Sequence, residues 1–148
     1  MQTLRLFGTT ILALDGEEAM RRTLECMGGV DLALAMEKKL TTSDTKMGLG
    51  RLFITDGVVL WGQLSQEEQM KLLIPERYVE VEVVDPRGNR HEMKLRFWPS
   101  VKMLALNSGW NKLVRDNNLE AGMDCKLWSF RVGSKLCFAL GVERQGHP

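Results

Sequence analysis

The chain has 148 residues, 44% of them hydrophobic and 26% charged, with a formal net charge of +1. That length suits one domain with a sizeable core, and no apolar run approaches the ~20 residues that cross a bilayer as a helix. A near-neutral total excludes binding of polyanions by overall basicity, so any such activity must come from local patches. The charge is in fact uneven: residues 37–55 carry net +2, residues 85–104 carry net +3, and the remainder is acidic.

In residues 1–33 the apolar spacing of Leu4–Leu14 fits neither strand nor helix, and Arg5 interrupts the apolar run that a secretory leader would need. Glu17–Met27 has helical composition and Gly28-Gly29 would stop it. A strand is predicted over Leu34–Leu40, then a polar loop from Thr41 to Gly50, then a strand at Arg51–Ile54. Asp56–Gly62 reads as a loop whose Val58, Val59, Leu60 and Trp61 pack beneath the next helix. That helix opens on Ser65-Gln66-Glu67-Glu68, the spacing of a capping box, and ends at Ile74-Pro75. Met70, Leu72 and Leu73 are expected in the core, as apolar side chains usually are.

Strict alternation follows. Val79, Val81 and Val83 share one face and Glu80 and Glu82 the other, before a turn at Asp85–Asn89. His91, Met93, Leu95 and Phe97 then alternate with Glu92, Lys94 and Arg96, which would pair the cations with Glu80 and Glu82 across the strands. His91 lies on the apolar face and reads as a packed histidine. Trp98–Met103 breaks the pattern before Leu104–Leu106.

The final stretch is the most informative. Asn107-Ser108-Gly109 suits a helix start, and Trp110, Leu113 and Val114 fall on one helical face. Asn117-Asn118 ends that helix. Lys126–Phe130 and Leu136–Leu140, joined around Gly133-Ser134, read as a hairpin buried on both faces. Trp110, Trp128, Phe130 and Phe138 are expected at the centre of one core, with Trp110 and Trp128 bridging helix and hairpin. Cys125 and Cys137 are placed to face each other across that hairpin as small hydrophobes, and three cysteines without C-x-x-C spacing suit a reducing compartment. Neither the nucleophile and metalloprotease motifs nor the glycine-rich nucleotide loops occur, so the sequence carries no catalytic set and no cofactor or metal site is expected.

LNSGWNKLVRDNNL, LWSFRVGSKLCFAL, KKLTTSD and RLFI together resemble the plant B3 DNA-binding domain superfamily, within a plant-specific branch. The resemblance implies an open, mainly β, seven-stranded antiparallel pseudobarrel with two short helices over residues 34–144, with residues 1–33 an appendage and 145–148 a tail. It implies sequence-specific binding of double-stranded DNA through the major groove, as a transcription regulator in the nucleus, with no membrane and no small-molecule substrate. KKLTTSD with RLFI would form one gripping arm and Trp98–Met103 the other. The candidate DNA-binding residues are Ser43, Asp44, Lys46, Arg51, Lys94, Arg96, Trp98, Ser100 and Lys102, with Trp98 preferred as an anchor and Arg51 either pairing with guanine or bridging to Asp44. The chain departs from the family pattern at Thr45, Gly50 and Thr55, at Gly122-Met123-Asp124, and in the second arm, where Pro99, Val101 and Met103 replace polar residues. An alternative is a scaffold of this family that no longer reads DNA and serves protein partners.

Overall fold

The computed structural model describes residues 21–22 and 24–143, so the expectations for Leu4–Leu14 and for residues 145–148 lie outside the described residues. Seven strands run β1 (Val30–Lys39), β2 (Arg51–Ile54), β3 (Val79–Val84), β4 (Arg90–Trp98), β5 (Met103–Asn107), β6 (Asp124–Val132) and β7 (Lys135–Glu143). Between them lie α1 (Thr42–Thr45), α2 (Val58–Gln63), α3 (Gln66–Leu72) and α4 (Trp110–Asp116). The strands form one curved sheet in the order β1-β6-β7-β3-β4-β5-β2.

Every neighbouring pair is antiparallel except β3 and β7, where Glu82–Val84 run parallel to Cys137–Ala139. The sheet is therefore a mixed half-barrel and not the purely antiparallel one expected. Two local turns cause this: β7 takes its direction from the hairpin with β6, and β3 from the hairpin with β4. Where the two hairpins meet, the facing strands point the same way.

The helices also differ from expectation. Within residues 34–143 there are four helices, where two were expected, and residues 21–22 and 24–26 are helical, as the composition of Glu17–Met27 predicts. α1 sits inside the predicted polar loop, closed by a second capping box in which Thr41 and Asp44 bond to each other's backbone amides at 3.2 and 2.8 Å. The predicted 56–62 loop is mostly α2, and it buries only Leu60, leaving Val58 and Val59 exposed. In α3 Leu72 is buried, but Met70 and Leu73 are each 60% exposed. Consecutive residues on a helix point about 100° apart, so a two-turn helix lying on a sheet can bury only one narrow stripe. β1 starts at Val30, four residues before the expected Leu34.

The Ser65 capping box forms as read, with Ser65 Oγ accepting from the Glu68 amide at 3.1 Å and Glu68 accepting from the Ser65 amide at 2.9 Å. Glu68 does more than cap. Both its carboxylate oxygens accept from Arg131 on β6 at 2.7 Å, which pins α3 to the terminal hairpin. Burial alone would raise the Glu68 pKa, but the Arg131 and Ser65 bonds outweigh it and hold the carboxyl below its ordinary value.

The terminal hairpin is buried on both sides, as expected, and this splits the apolar residues in two. Leu127, Phe138 and Leu140 join Trp110, Leu113 and Leu95 in the main core. Trp128, Phe130, Cys137 and Ala139 pack on the other side with Leu24 and Val84. Trp110 and Trp128 are both buried, yet in separate clusters, so they do not bridge one core. Alternation along β6 explains it: neighbouring residues point to opposite faces. Cys125 and Cys137 likewise do not face each other. Cys125 stands opposite Val142, Cys137 opposite Phe130, and the two belong to different clusters. Burial pushes the Cys125 thiol up to about 12 and raises that of Cys137 as well.

Asp85 was read only as a turn residue. It is fully buried at the β3–β4 turn, where one oxygen accepts from the amides of Arg87 and Asn89 and the other from His91 Nε2 and Asn117 Nδ2, all at 2.8–2.9 Å. His91 is thus packed, as expected, but against a carboxylate. Burial raises the Asp85 pKa; the bonds from Asn117, His91 and the two amides prevail and bring it below the ordinary aspartate value.

Two predictions arise here. Trp110→Ala should cost about 3–5 kcal/mol in a denaturant melt, through the cavity left in the main core and the loss of the indole hydrogen bond. A cost below ~1 kcal/mol would contradict the packing. Asp85→Asn should cost roughly 1–3 kcal/mol at neutral pH, because buried donors lose a charged acceptor. Since the folded pKa lies below the unfolded one, the stabilisation is complete above the unfolded value of about 4 and fades as pH falls through the folded value. The stability gap between wild type and Asp85→Asn should therefore narrow on acidification below about pH 4, and a gap independent of pH would contradict the assignment.

Candidate functional site

The side of the sheet that faces away from the main core collects the basic residues. In β2, β4 and β5, Leu52, Ile54, Leu95, Leu104 and Leu106 point inward, and period-two alternation turns their neighbours outward. Register then lines up Arg51 with Asn107 and Lys94 across three strands, and Phe53 with Ala105 and Arg96 in the next row. Aromatic rings support the charged heads. The Arg51 guanidinium lies 4.4 Å from the Phe53 ring centre, and Lys94 and Arg96 lie 4.3 and 4.8 Å from that of Tyr78. Such contacts hold a cation in place while leaving its charge available. Glu80 stands opposite Lys94 as expected, although the Lys94 and Arg96 heads lie over Tyr78, whereas Glu82 faces Glu92 and pairs with Arg90 at 3.8 Å.

One end of this face carries the loop from Thr41 to Gly50. Two consecutive residues of α4 anchor it: Trp110 Nε1 donates to the Asp44 carbonyl at 2.7 Å, and Asn111 Nδ2 to the Met47 carbonyl at 2.9 Å. Gly109 lets α4 begin where it does, with φ +144° and a position whose Cβ would lie 2.8 Å from the Glu92 carbonyl oxygen. Within the loop several polar groups bond to one another or to its backbone, while Thr41 and Thr42 stay exposed. Asp44 is 2% exposed and its carboxylate pairs with Lys38 at 3.1 Å. The hydroxyls of Thr41 and Ser43 lie 3.1 Å apart, and Thr45 donates to the Thr42 carbonyl. Arg51 donates to the Ser43 carbonyl at 3.1 Å, so it stiffens the loop without the Asp44 bridge that was considered. Lys46, Met47 and Leu49 are left at the exposed tip.

The other end carries the Pro99–Lys102 turn between β4 and β5. It is tight: the Val101 amide donates to the Trp98 carbonyl, and Lys102 adopts φ +55°, the left-handed region. Trp98 is partly buried and meets Phe53 edge-on at 5.6 Å, an anchoring position. Ser100, Val101 and Lys102 are exposed.

The structure thus brings Arg51, Lys94, Arg96 and Trp98 onto one face, with Ser43 and Lys46 at one end and Ser100 and Lys102 at the other. Asp44 lies beneath the surface as a bracket. The two loops bracket β5, whose residues from Met103 to Asn107 span roughly 13 Å at strand rise. Phe53, Tyr78, Asn107 and Asn111 are parts of this site that the sequence reading missed. Phe53 and Asn107 were detectable, since both fall in alternation with residues assigned to the core. Asn107 Oδ1 is buried between its basic neighbours without a hydrogen-bond partner among the described residues.

Known proteins agree with this architecture. A family model described as "B3 domain-containing protein At2g31720-like" matches residues 15–144. B3 domain-containing protein At1g05930 of Arabidopsis thaliana is 30% identical over 128 residues, covering 82% of this chain and 40% of that protein. Putative B3 domain-containing protein At3g49610 of the same plant is 32% identical over 130 residues, covering 76% and 39%. The chain therefore spans about two fifths of the length of these curated relatives. Among solved structures, the Arabidopsis FUS3–DNA complex superposes with a TM-score of 0.58 at 18% identity, covering 77% of this chain and 100% of that one. The complex of the Arabidopsis thaliana transcription factor LEC2 with DNA gives 0.51 at 23% identity, covering 78% and 97%. These two likenesses establish the shared fold, and the family match over most of its length shows that this chain belongs to the B3 domain family.

Proposed function

We propose that this chain binds double-stranded DNA in the major groove, through the basic outer face of β2, β5 and β4 and the two loops that bracket it. The observation that carries the reading is the pairing of Lys46 and Lys102 on separate loops with Arg51, Lys94 and Arg96 between them. The roughly 13 Å spanned by β5 is close to the ~12 Å width of the major groove of B-DNA. Two structural neighbours were solved as DNA complexes, which supports the same use of the fold. In this reading Lys46, Lys94, Arg96 and Lys102 neutralise phosphates, and Arg51 and Ser100 lie near base edges. Ser43 and Asp44 shape the first loop, and Trp98 anchors the second. The cellular role that follows is transcriptional regulation in a plant nucleus.

The test is a salt titration of duplex binding by wild type and Lys102→Ala. A phosphate contact releases about one counterion, so the variant should weaken binding to a similar degree for every sequence and lower the salt slope by about one. Absence of duplex binding by folded wild-type protein at low salt would overturn the proposal.

A further inference from the structure

We infer that the two loops read the C5-methyl groups of thymine, with Met47 and Leu49 on the first loop and Val101 and Met103 at the second as the contacting side chains. The inference rests on the duplex-binding reading above and deepens it. All four side chains are exposed, at 41, 46, 46 and 37% respectively; Val58, Met70 and Leu73 are exposed as well, and what sets these four apart is their place beside the basic face. They occur as two pairs at opposite ends of the basic face. Each pair sits within three residues of a lysine, Lys46 or Lys102. An apolar tip flanked by cations complements a duplex groove, where phosphates line the rims and the thymine methyl is the apolar feature of the floor.

The loops also have little capacity for the alternative, hydrogen-bonded readout. In the first, Thr41 and Ser43 share a hydrogen bond, Thr45 bonds to the loop's own backbone, and Asp44 is buried against Lys38, which leaves the exposed Thr42 as its main polar side chain for a base edge. In the second, Ser100 is the sole neutral polar side chain between Trp98 and Leu104. Burial of a methyl-sized group changes affinity about three- to fourfold, so one contact from each loop amounts to roughly tenfold.

The experiment measures binding of wild-type protein to a thymine-containing duplex pool and to the same pool with uracil in place of thymine, which removes only the methyl groups. Wild type should bind the uracil pool roughly tenfold more weakly, with the same salt slope, because the phosphate contacts are untouched. Met47→Gln with Met103→Gln, conservative in length and exposed, should bring the thymine-to-uracil ratio towards one. A uracil pool carrying 5-methylcytosine for cytosine separates the two sources of the methyl: recovered binding assigns the contact to the methyl on either pyrimidine, and unrecovered binding assigns it to thymine. Equal affinity of wild type for the thymine and uracil pools overturns this inference alone. Failure to bind either pool overturns the duplex reading and this one with it.

Discussion

The two-sided burial of the β6–β7 hairpin sets the terms for the rest of the molecule. Nearly every residue from Cys125 to Phe130 and from Leu136 to Gly141 is shielded from water, so each face of the hairpin needs its own apolar cover. One face receives the main core built from α4 and the strands around it. The other receives Leu24, Val84 and, partly buried, Met27 and Leu32. The hairpin's two edges are then filled by β1 and β3, each supplying the backbone partners that a buried strand must have. The Arg131–Glu68 pair adds a side-chain tie from the hairpin to α3. Its bidentate geometry and partial burial make it more than a solvated surface pair, which would contribute little.

A second constraint acts at the functional face. Trp110 is at once the largest side chain of the main core and a hydrogen-bond donor to the first loop. Packing therefore determines where the loop stands, and the loop's exposed tip inherits the rigidity of the core. Asp44 illustrates how a polar residue in a surface loop can serve entirely inward. Its carboxylate caps α1 and neutralises Lys38, and its carbonyl receives the indole.

What could be read from the sequence was whatever depends on neighbours along the chain. The alternation of Val79–Val83 and His91–Phe97, the Ser65 capping box and the stripe of Trp110, Leu113 and Val114 are local patterns with local causes. The features that escaped depend on distant partners. β7 is apolar from Leu136 to Leu140, so its alternation between two cores is invisible until the covers on each side are known. The parallel β3–β7 pairing arises only when two hairpins meet. Asp85 looks like any turn aspartate, because His91 and Asn117 reach it from the next strand and from a helix end. At the candidate site, Arg51, Lys94 and Arg96 were found from the basic segments together with the resemblance of KKLTTSD and RLFI to a family arm. The rings that seat them were missed because Phe53 was read only as part of its strand and Tyr78 precedes the alternation of the next one.

The strand order has a consequence for how the molecule comes to be folded. β1 pairs with a strand that begins some eighty residues later, and β3 with one more than fifty residues later. Contacts of such wide separation form slowly, since long loops must close before any pairing rewards the loss of freedom. During synthesis β1, β2 and β3 leave the ribosome well before β6 and β7 exist. Until then β1 lacks its partner and β3 lacks one of its two, and unpaired strand edges are where nascent β-proteins associate wrongly. The β6–β7 hairpin, made after all the others, lies inside the finished sheet between β1 and β3. The pairings of β1 and β3 therefore wait for the last strands, and a chain cut short within β7 would leave β3 with one partner instead of two.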